Sequence, residues 1–469
     1  MTALSIFSAA REAPQRLALI IGSTWYSYAD LAVLVHDRAV ALAQAQAPLL
    51  LQPRLDLESL LWIYAASATG TSFLPLHAGS APGEHAVALA LSGAQSTPPL
   101  ARGASAAFLE RDINPEQPYA FMLTSGSSGV PKIVILSRRA VLASASASEH
   151  NLGRENEERW LLCLPLSHVG GLSILVRMLA ARRTVVLLEP TPAGLLERTA
   201  ALRRQISAQR VTLISLVPTL LERLLQEGFE APATLRAVLV GGAGCSAALA
   251  ERARRAGVPL LTSYGLTETG SQVIARRYVE RHAPLPVQSG CVSSGHPLEG
   301  VELKIVGGRI AIRAAALLSG YLGSTALALE EGWFLTNDRG VLGSGGELYV
   351  LGRTDLLIVS GGENVDPEEV ERVLRTLPEV LDACVCGLPS REFGQQVAAL
   401  IVTRGHTLPL PLGQLRARLS AQLAPFKLPR ELLYADALPR SALGKLDRRA
   451  CARLLESGAG APQDHISGR

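Results

Sequence analysis

The feature that most constrains the fold is the alternation of short apolar segments with amphipathic helices in the middle of the chain. The pattern predicts strands at 212–217, 237–240 and 259–263, with a helix starting at Pro218 and another over 247–256. These strands are apolar at nearly every position, which is typical of parallel strands covered on both faces. We therefore expect an α/β protein whose large N-terminal domain contains layered α/β sheets.

Two changes of pattern divide the remainder of the chain. Residues 301–352 contain short β-rich runs separated by Gly turns, which predict a small β subdomain. After Asp355, strands and helices predict a separate α+β unit. We therefore assign 1–354 to an N-terminal domain and 355–469 to a smaller, mobile C-terminal domain. The Gly-, Ala-, Ser- and Pro-rich stretch 79–107 predicts loops or variable surface.

Composition excludes several classes of protein. The chain has 469 residues, of which 48% are hydrophobic and 18% charged, so it can bury a large core. A net charge of +4 is small for this length and argues against a nucleic-acid partner. The six cysteines form no CxxC pair, which indicates thiols of a reducing compartment. The N-terminus lacks a secretory pattern and no apolar run reaches the ~18 residues of a membrane span, so we expect a cytoplasmic protein.

One segment has the composition of a phosphate-binding loop. Thr124 to Lys132 reads TSGSSGVPK and follows a predicted strand at 119–123. Glycines let backbone amides turn toward phosphate oxygens, hydroxyls donate hydrogen bonds, and the lysine adds positive charge. The glycine spacing differs from that of a Walker A loop. Taken alone, the segment fits a phosphate loop and a flexible Ser/Gly loop equally well.

A second segment lies where ligand sites of α/β proteins cluster. Residues 263–270 read SYGLTETG and follow the predicted strand 259–263. Tyr264 can stack on a base, and Glu268 can bind a hard cation such as Mg²⁺. Four more segments follow in order: TNDRG at 336–340, GRTD at 352–355, SGGEN at 360–364 and PRSALGK at 439–445.

In these ordered motifs the chain resembles the adenylate-forming superfamily, which contains acyl- and aryl-CoA ligases, amino-acid-adenylating domains and luciferases. The resemblance extends over residues 15–450. In that family a large N-terminal domain binds ATP and a carboxylic acid, and a small C-terminal domain rotates between two half-reactions. The resemblance implies that the carboxylate attacks the α-phosphate of ATP to give an acyl-adenylate and pyrophosphate. A thiol then attacks the adenylate and releases AMP.

The resemblance also assigns ATP-binding roles to residues at the matching motif positions. It implies that Thr267 contacts the α-phosphate as a catalytic residue and that Glu268 binds Mg²⁺. The ATP-binding residues that it implies are Thr124, Ser125, Gly126, Ser127, Ser128 and Lys132 for the phosphates, Gly241, Gly242, Ala243, Tyr264 and Gly265 for the adenine pocket, and Asp338 with Arg353 for the ribose.

Further roles implied by the resemblance fall in the C-terminal part of the chain. Lys445 matches the mobile catalytic lysine, whose ammonium bridges the attacking carboxylate and the α-phosphate. Asp355 matches the hinge, and Gly361 and Gly362 match small residues that line the CoA tunnel. The chain departs from the usual family pattern at four positions, which leave the hinge geometry and the close identity of the branch open: Ser167, Asn337, Leu356 and Asp366.

The acyl pocket is expected around the segment LPLSHVGG at 164–171. His168 matches the family histidine near this pocket, which contacts the carboxylate and the thiol, so the resemblance implies both catalytic and substrate-binding roles. In the helix that follows, Gly170, Ser173 and Arg177 share one face. Arg177 fits two roles equally well. It can pair with a second carboxylate of the substrate, or it can cap the helix C-terminus next to Arg182.

Within the superfamily, HVGGLSILVR, SYGLTETGSQV and SGGENVDPEEVE look most like the o-succinylbenzoate–CoA ligases of menaquinone biosynthesis. Their substrate is an aromatic dicarboxylate, and the resemblance implies ATP, Mg²⁺ and CoA as cofactor and co-substrates. The alternatives are another aryl- or acyl-CoA ligase of degradation or secondary metabolism, and a catalytically inactive nucleotide-binding relative. The sequence leaves the oligomeric state open, with a homodimer as one alternative.

Overall fold

The chain divides into two compact units in a computed structural model. The large unit comprises Met1–Val306, Ala311–Leu335 and Leu342–Tyr349, and the small unit comprises Gly307–Ile310, Thr336–Val341 and Val350–Arg469. The predicted boundary between residues 354 and 355 stays a prediction. The structure describes residues 4–43, 45–77, 82–100, 112–124, 132–189, 195–288, 290–324, 329–405, 409–440 and 446–458.

Helices begin and end at residues with recognisable capping chemistry. Ser27 and Asp30 form a capping box, in which the Ser27 hydroxyl accepts from the Asp30 amide at 3.1 Å and the Asp30 carboxylate accepts from the Ser27 amide at 2.8 Å. The helices of the described chain are α1 (Ile6–Glu12), α2 (Tyr28–Leu42), α3 (Leu57–Thr69), α4 (Pro82–Ser92), α5 (Arg138–Leu152), α6 (Val169–Ala181), α7 (Leu195–Ala208), α8 (Pro218–Gln226), α9 (Ala247–Arg255), α10 (Pro367–Leu374), α11 (Leu412–Leu419) and α12 (Arg448–Gly458).

The strands are short in the large unit and longest in the small unit. They are β1 (Leu17–Ile21), β2 (Thr24–Ser27), β3 (Leu49–Leu51), β4 (Phe73–Pro75), β5 (Pro118–Thr124), β6 (Lys132–Ser137), β7 (Arg159–Leu162), β8 (Thr184–Leu187), β9 (Leu213–Leu216), β10 (Ala237–Val240), β11 (Leu260–Leu266), β12 (Ser271–Ala275), β13 (Val287–Gln288), β14 (Cys291–Val292), β15 (His296–Pro297), β16 (Val301–Val306), β17 (Arg309–Ala314), β18 (Gly320–Tyr321), β19 (Phe334–Leu342), β20 (Leu348–Arg353), β21 (Ile358–Ser360), β22 (Glu363–Val365), β23 (Val380–Ser390), β24 (Gly394–Thr403) and β25 (Glu431–Tyr434).

A nine-stranded sheet forms the centre of the large unit. Its order is β15-β12-β11-β10-β9-β7-β8-β1-β2, and the strands from β11 to β1 pair in parallel. The outer pairs β15–β12, β12–β11 and β1–β2 are antiparallel. This confirms the parallel α/β arrangement predicted from the apolar strands, whose side chains pack in a core with α7, α8 and α9.

A second sheet of the large unit has the order β18-β6-β5-β4-β3. Its strands β5 and β6 are antiparallel neighbours, and β18 pairs with β6. A four-stranded sheet, in the order β16-β17-β19-β20, contains the β-rich runs predicted between 301 and 352. The residues of β19, which include the TNDRG motif, were not predicted as a strand.

The small unit is built on a sheet in the order β22-β21-β24-β23, with β25 added in parallel to β24. The predicted α+β pattern is confirmed in α10, β23, β24, α11 and β25. Two clusters of buried side chains cover the two faces of this sheet; one includes Val370 of α10 and Leu415 of α11, and the other includes Leu455 of α12.

One prediction in the first third of the chain is wrong. The stretch 79–107 is predicted to form loops or variable surface, yet Pro82–Ser92 is the helix α4, so the loop prediction fails there. Residues 79–81 and 101–107 lie outside the described residues. Proline is favourable in the first turn of a helix, and Ala and Leu have high helix propensity. In this segment these preferences outweigh the tendency of Gly and Ser to form loops. No described helix is long and apolar enough to cross a membrane.

Candidate active site

The predicted phosphate loop joins two antiparallel strands of the large unit. Thr124 is the last residue of β5, Lys132 is the first of β6, and the two are paired in register. The Thr124 hydroxyl donates a hydrogen bond to the backbone carbonyl of Lys132 at 3.3 Å. The other predicted phosphate ligands lie outside the described residues, and their role stays a prediction: Ser125, Gly126, Ser127 and Ser128.

Tyr321, which the sequence analysis missed, connects the loop lysine to the predicted metal ligand. Lys132 Nζ lies 5.2 Å from the centroid of the Tyr321 ring, and the Tyr321 hydroxyl donates to Glu268 Oε1 at 3.0 Å. Burial and the Glu268 carboxylate raise the pKa of Tyr321, so the phenol stays protonated. A cation, a hydroxyl donor and a carboxylate are thus adjacent, and the order of β18 beside β6 brings them together.

The chemistry of Glu268 fits Mg²⁺. Its carboxylate oxygens are the hard ligands that this ion prefers, and the Tyr321 hydroxyl fixes their orientation. Among the described residues, no group of three His, Cys, Asp or Glu side chains is arranged to hold a metal ion. Mg²⁺ is commonly held by one or two carboxylates together with substrate phosphates and water, and a single carboxylate matches that pattern.

At two positions of the predicted adenine pocket, neighbouring atoms leave no room for a side chain, so only glycine fits. A Cβ on Gly241 would lie 2.6 Å from Ser263 Oγ, and a Cβ on Gly265 would lie 2.0 Å from the carbonyl oxygen of Ser271. Gly241 therefore lies beside the residue that precedes Tyr264. Gly242, which has a φ of +77°, and Ala243 follow as exposed residues. The end of β10 and the end of β11 thus meet at one edge of the sheet, as predicted.

The turn after β11 carries Thr267 and Glu268 and contains a strained residue. Thr269 stabilises this turn, because its hydroxyl oxygen accepts from the Leu266 amide at 2.8 Å and lies 2.7 Å from the Ser271 carbonyl. Ser271 has a φ of +114°, which is unfavourable for a residue with a side chain. Such a backbone costs about 1–3 kcal/mol and is found most often at functional sites.

His168 is the residue that precedes α6. Its backbone amide donates to the Pro165 carbonyl at 3.2 Å, and its ring centroid lies 6.0 Å from that of His77. A Cβ on Gly171 would lie 2.3 Å from the Pro165 carbonyl oxygen, so the tight turn between β7 and α6 requires this glycine. The turn therefore places His168 at the carboxyl end of β7, the same edge of the sheet as Tyr264. Ser167, one of the departures from the family pattern, is buried, and its hydroxyl makes no hydrogen bond to the described residues.

Arg177 of α6 is buried, with 7% of its surface exposed. Its Nη2 donates to Ser271 Oγ at 3.3 Å, and Ser271 Oγ also accepts from Ser173 Oγ at 3.3 Å. Its guanidinium lies 5.4 Å from the centroid of the Trp160 ring. No described carboxylate lies within ion-pair distance of it, and its Nε has no hydrogen-bond partner there. Burial without a counter-charge lowers the pKa of Arg177 to about 10.

The structure separates the two roles considered for Arg177. The carbonyl groups at the C-terminus of α6 accept from other arginines: Arg182 Nη1 donates to the Leu179 carbonyl at 2.6 Å, and Arg183 Nη1 donates to the Ala181 carbonyl at 3.0 Å. Arg177 instead faces Ser271, the residue that follows the Thr267–Thr269 turn and Gly270. Helix capping therefore does not account for a buried guanidinium at this position.

A cavity of about 240 Å³ lies against Arg177 between α5 and α6. Trp160 and Met178 contribute to its walls, as does Glu158. The Glu158 carboxylate forms an ion pair with Arg236, so its charge is already matched. Trp160 and Ser271 were not predicted as site residues; Ser271 directly follows the SYGLTETG motif, whereas Trp160 reaches Arg177 only through the packing of β7 against α6.

In the small unit, Asp338, Arg353 and Asp355 form one cluster. Arg353 Nη1 lies 3.3 Å from Asp338 Oδ1. Its Nε and Nη2 donate to the two carboxylate oxygens of Asp355 at 2.8 and 2.7 Å. The predicted ribose-binding residues and the predicted hinge are therefore joined by a single guanidinium, and Asp338 is held further by its amide, which donates to Thr336 Oγ1 at 3.1 Å.

Gly361 and Gly362 form the two-residue turn between β21 and β22. Both have positive φ values, +61° and +87°, which the tight hairpin requires. Both are exposed, as expected of residues that a pantetheine arm approaches closely. Their predicted role toward CoA stays a prediction.

Lys445 lies outside the described residues, but the residues on either side of it are anchored. Arg440 and Leu446 form a β-bridge, and the Asp447 amide donates to the Pro439 carbonyl at 2.9 Å. Arg440 also pairs with Asp382. The segment that contains the predicted catalytic lysine therefore starts and ends at neighbouring points of the small unit.

Comparison with known families matches both units. The sequence profile of the AMP-binding enzyme family matches residues 100–322, and that of the AMP-binding enzyme C-terminal domain matches residues 369–445. The 2-succinylbenzoate–CoA ligase of Bacillus pumilus is 37% identical over 353 residues, which is 72% of this chain and 70% of that protein. A probable 2-succinylbenzoate–CoA ligase of Mycobacterium tuberculosis is 39% identical over 338 residues, 70% of this chain and 82% of that protein.

Solved structures of o-succinylbenzoate CoA synthetases share the fold. The Bacillus subtilis enzyme in complex with the acyl-adenylate intermediate superposes with a TM-score of 0.83 at 29% identity, over 95% of this chain and 97% of that chain. The same enzyme with ATP and magnesium ion gives 0.82 at 29% identity, over 96% and 98%. The wild-type E. coli enzyme with a bound analogue of the adenylate gives 0.75 at 28% identity, over 96% and 98%.

Proposed function

The chain belongs to the family of AMP-binding enzymes, and we propose that it is an o-succinylbenzoate–CoA ligase of menaquinone biosynthesis. In this reaction ATP and the dicarboxylate give an acyl-adenylate and pyrophosphate, and CoA then displaces AMP. The names of the relatives and the ligands of the solved structures support this substrate. The observation in this chain that carries the proposal is the buried guanidinium of Arg177, which has no carboxylate partner among the described residues.

We assign Arg177 to the ring carboxylate of the substrate. A buried cation without a counter-ion is costly, and an incoming carboxylate would remove that cost while forming charge-assisted hydrogen bonds. Ser271 and Ser173 lie beside the guanidinium and can donate to the same carboxylate. An acid with a single carboxylate cannot pair with Arg177, because that carboxylate is the one that reacts at the α-phosphate. The site therefore favours a dicarboxylate over a simple benzoate or fatty acid.

The residues around Tyr321 support ATP as the activating substrate. Lys132 contributes positive charge at the end of the predicted phosphate loop, next to the Tyr321 ring, and Glu268 accepts a hydrogen bond from the Tyr321 hydroxyl. Bound Mg²⁺ would neutralise phosphate charge at this point. We assign the contact with the α-phosphate to Thr267, which precedes Glu268 in the same turn.

Lys445 completes the proposed mechanism of adenylation. Negative charge accumulates between the attacking carboxylate and the α-phosphate, and a preorganised ammonium stabilises it there. Loss of one such donor typically lowers the rate about 10²–10³-fold. CoA then attacks the adenylate with Gly361 and Gly362 lining its approach. The six free cysteines fit a reducing compartment, and we place the reaction in the cytoplasm.

The first test measures pyrophosphate release from ATP and Mg²⁺ with a panel of acids, with and without CoA. The panel contains o-succinylbenzoate, benzoates and short to long fatty acids. We expect turnover with o-succinylbenzoate that increases when CoA is present. Turnover with a different acid would retain the mechanism and overturn the substrate. No turnover with any of these acids, despite measurable ATP binding, would contradict the proposal.

A second test separates the half-reactions with Lys445→Ala. Adenylate formation should fall about 10²–10³-fold, whereas thiolysis of a supplied acyl-adenylate should be little changed. Lys427→Ala is the matched control, because Lys427 lies in the same unit and pairs with Glu369. Equal losses in both half-reactions would contradict the assignment of Lys445.

A further inference from the structure

A second cavity of the large unit, which we call the arginine groove, lies outside the candidate active site. It has a volume of about 230 Å³ and is bounded by one face of α9 and by the segment that follows β12. Ala247, Ala250 and Arg254 recur at helical spacing along that face of α9. The groove exists because the two alanines are small where larger side chains would fill the space.

The charges around the groove are predominantly positive. Arg254, Arg276 and Arg281 line it, and Glu251 is the only acidic residue among its described lining residues. The Glu251 carboxylate is shared, because it accepts two hydrogen bonds from Arg254 at 2.8 Å and one from Arg255 at 2.9 Å. The local excess of guanidinium groups therefore favours an anion.

Unlike an arginine at the protein surface, Arg276 is a buried part of the wall of the groove. It is buried, with 4% of its surface exposed. Its Nη2 donates to the carbonyl groups of Ala283 and Pro284 at 2.8 and 3.2 Å, which fixes the wall of the groove. Its Nε has no hydrogen-bond partner among the described residues, and the nearest acidic oxygen, Glu280 Oε2, is 4.0 Å away.

The other walls of the groove are apolar. Val258, Leu260 and Leu285 contribute hydrocarbon surface, and Val287, which is 51% exposed, lies at the rim. The Arg281 guanidinium lies 4.2 Å from the centroid of the Tyr278 ring, and this stacking orients it. A ligand that suits these walls combines one anionic group with a small hydrocarbon body.

We propose that the arginine groove binds a small aromatic or aliphatic monocarboxylate. Its volume of about 230 Å³ suits a ligand of about one ring and its carboxylate. Planar guanidinium groups match a carboxylate through paired hydrogen bonds. The groove shares no residue with the candidate active site. The groove is nevertheless close in sequence to the predicted adenine pocket, because α9 follows the Gly241–Ala243 loop and Arg276 directly follows β12.

The test uses 4-fluorobenzoate as the probe and ¹⁹F NMR line broadening of the full chain as the readout. 4-Fluorobenzyl alcohol is the neutral control of the same size. Ala247→Phe fills the groove without changing its charge, and Arg254→Ala removes a cation from its rim. Arg252→Ala is the matched control, because Arg252 lies on α9 but pairs with Glu222 outside the groove.

We expect wild-type protein to bind 4-fluorobenzoate at a site that Ala247→Phe weakens at least ten-fold and Arg254→Ala weakens three- to ten-fold. Glu251→Gln should bind more tightly, because it removes the one acidic side chain. Arg252→Ala should match wild type. Superimposable titrations of wild type and Ala247→Phe would overturn the proposal, as would equal binding of the neutral alcohol. Should Ala247→Phe fail to fold, as judged by circular dichroism, the opposite shifts of Arg254→Ala and Glu251→Gln decide. This experiment needs no acid turnover, so it is independent of the proposed enzymatic function.

Discussion

A half-buried arginine of the small unit and a buried arginine of the large unit have opposite surroundings. Arg448 in the small unit pairs with Glu371 through both Nη atoms and lies 3.6 Å from Glu368. Burial lowers its pKa, but the Glu371 carboxylate outweighs this effect, so that the pKa of Arg448 is raised overall. Arg177 in the large unit has a hydroxyl partner at 3.3 Å and an aromatic ring, and burial lowers its pKa to about 10.

The difference distinguishes a structural charge from a binding charge. A cation with its own carboxylates joins elements of the fold, as Arg448 joins α12 to α10. A buried cation without a carboxylate lowers the stability of the ligand-free protein, and this cost is removed when an anion binds to it. Arg138 shows that burial without a carboxylate is not sufficient. It too has no described carboxylate partner and an unpartnered Nε, and its Nη2 donates to the Ser67 carbonyl at 2.7 Å. The assignment of Arg177 therefore also depends on its position beside Ser271 and beside the cavity between α5 and α6.

The largest effect is expected when the paired arginine, Arg448, loses its carboxylate partner. Glu371→Ala removes the buried carboxylate that pairs with the half-buried Arg448, and we expect the free energy of unfolding of the small unit to fall by about 3–5 kcal/mol. Chemical denaturation followed by circular dichroism measures this change. Glu392→Ala, at an exposed position of the same unit, should change stability by less than about 0.5 kcal/mol. A loss below about 1 kcal/mol for Glu371→Ala would contradict the structural role of the pair.

The second prediction tests the unpaired side. Arg177→Met removes a buried charge that has no carboxylate, so stability should rise or fall by less than about 1 kcal/mol. kcat/KM for o-succinylbenzoate should fall about 100-fold, mainly through KM, which corresponds to about 2.7 kcal/mol. Arg182→Ala, at the end of the same helix, should leave KM unchanged. An unchanged KM in Arg177→Met would show that this arginine does not bind the substrate.

The third prediction uses the strained residue beside Arg177. Ser271→Gly accepts the φ of +114° without a side-chain clash, and we expect the free energy of unfolding to increase by about 1 kcal/mol. The same change removes the hydroxyl that accepts from Arg177, so KM should rise about threefold, or about 0.65 kcal/mol. Thermal unfolding and steady-state kinetics measure the two effects. A variant that is both less stable and unchanged in KM would refute this account.

The smallest effect concerns the ring beneath the guanidinium. Trp160→Phe retains an aromatic face with a weaker attraction for the cation, and we expect KM to rise about twofold, or about 0.4 kcal/mol. Trp25→Phe is the matched control, because that ring lies against Arg159 at the surface. A tenfold effect of Trp160→Phe would mean that the ring contacts the substrate itself.

The parts of the molecule that could be predicted from the sequence are those in which local pattern decides the outcome. The strand 237–240 and the helix starting at Pro218 agree with β10 and α8, because apolar runs and proline act over a few residues. The helix α4 was missed because its small residues are compatible with both a loop and a helix. Tyr264 and Glu268 could be assigned to the edge of the central sheet because their motif directly follows a strand that the local pattern predicts.

The parts that could not be predicted depend on residues distant in sequence. Tyr321 reaches Glu268 across 53 positions through the pairing of β18 with β6, and Trp160 reaches Arg177 through the packing of β7 with α6. Nothing in the spacing of these residues indicates their contact. The role of Arg177 was open for the same reason, because only the tertiary structure shows that Arg182 and Arg183 occupy the helix end.

The β-bridge between Arg440 and Leu446 closes the segment that contains Lys445. Leu446 directly follows Lys445, and Arg440 in turn pairs with Asp382 of β23. The described residues on both sides of 441–445 are therefore attached to the sheet of the small unit. The proposed catalytic role of Lys445 thus depends on the stability of this anchorage as well as on the ammonium group itself.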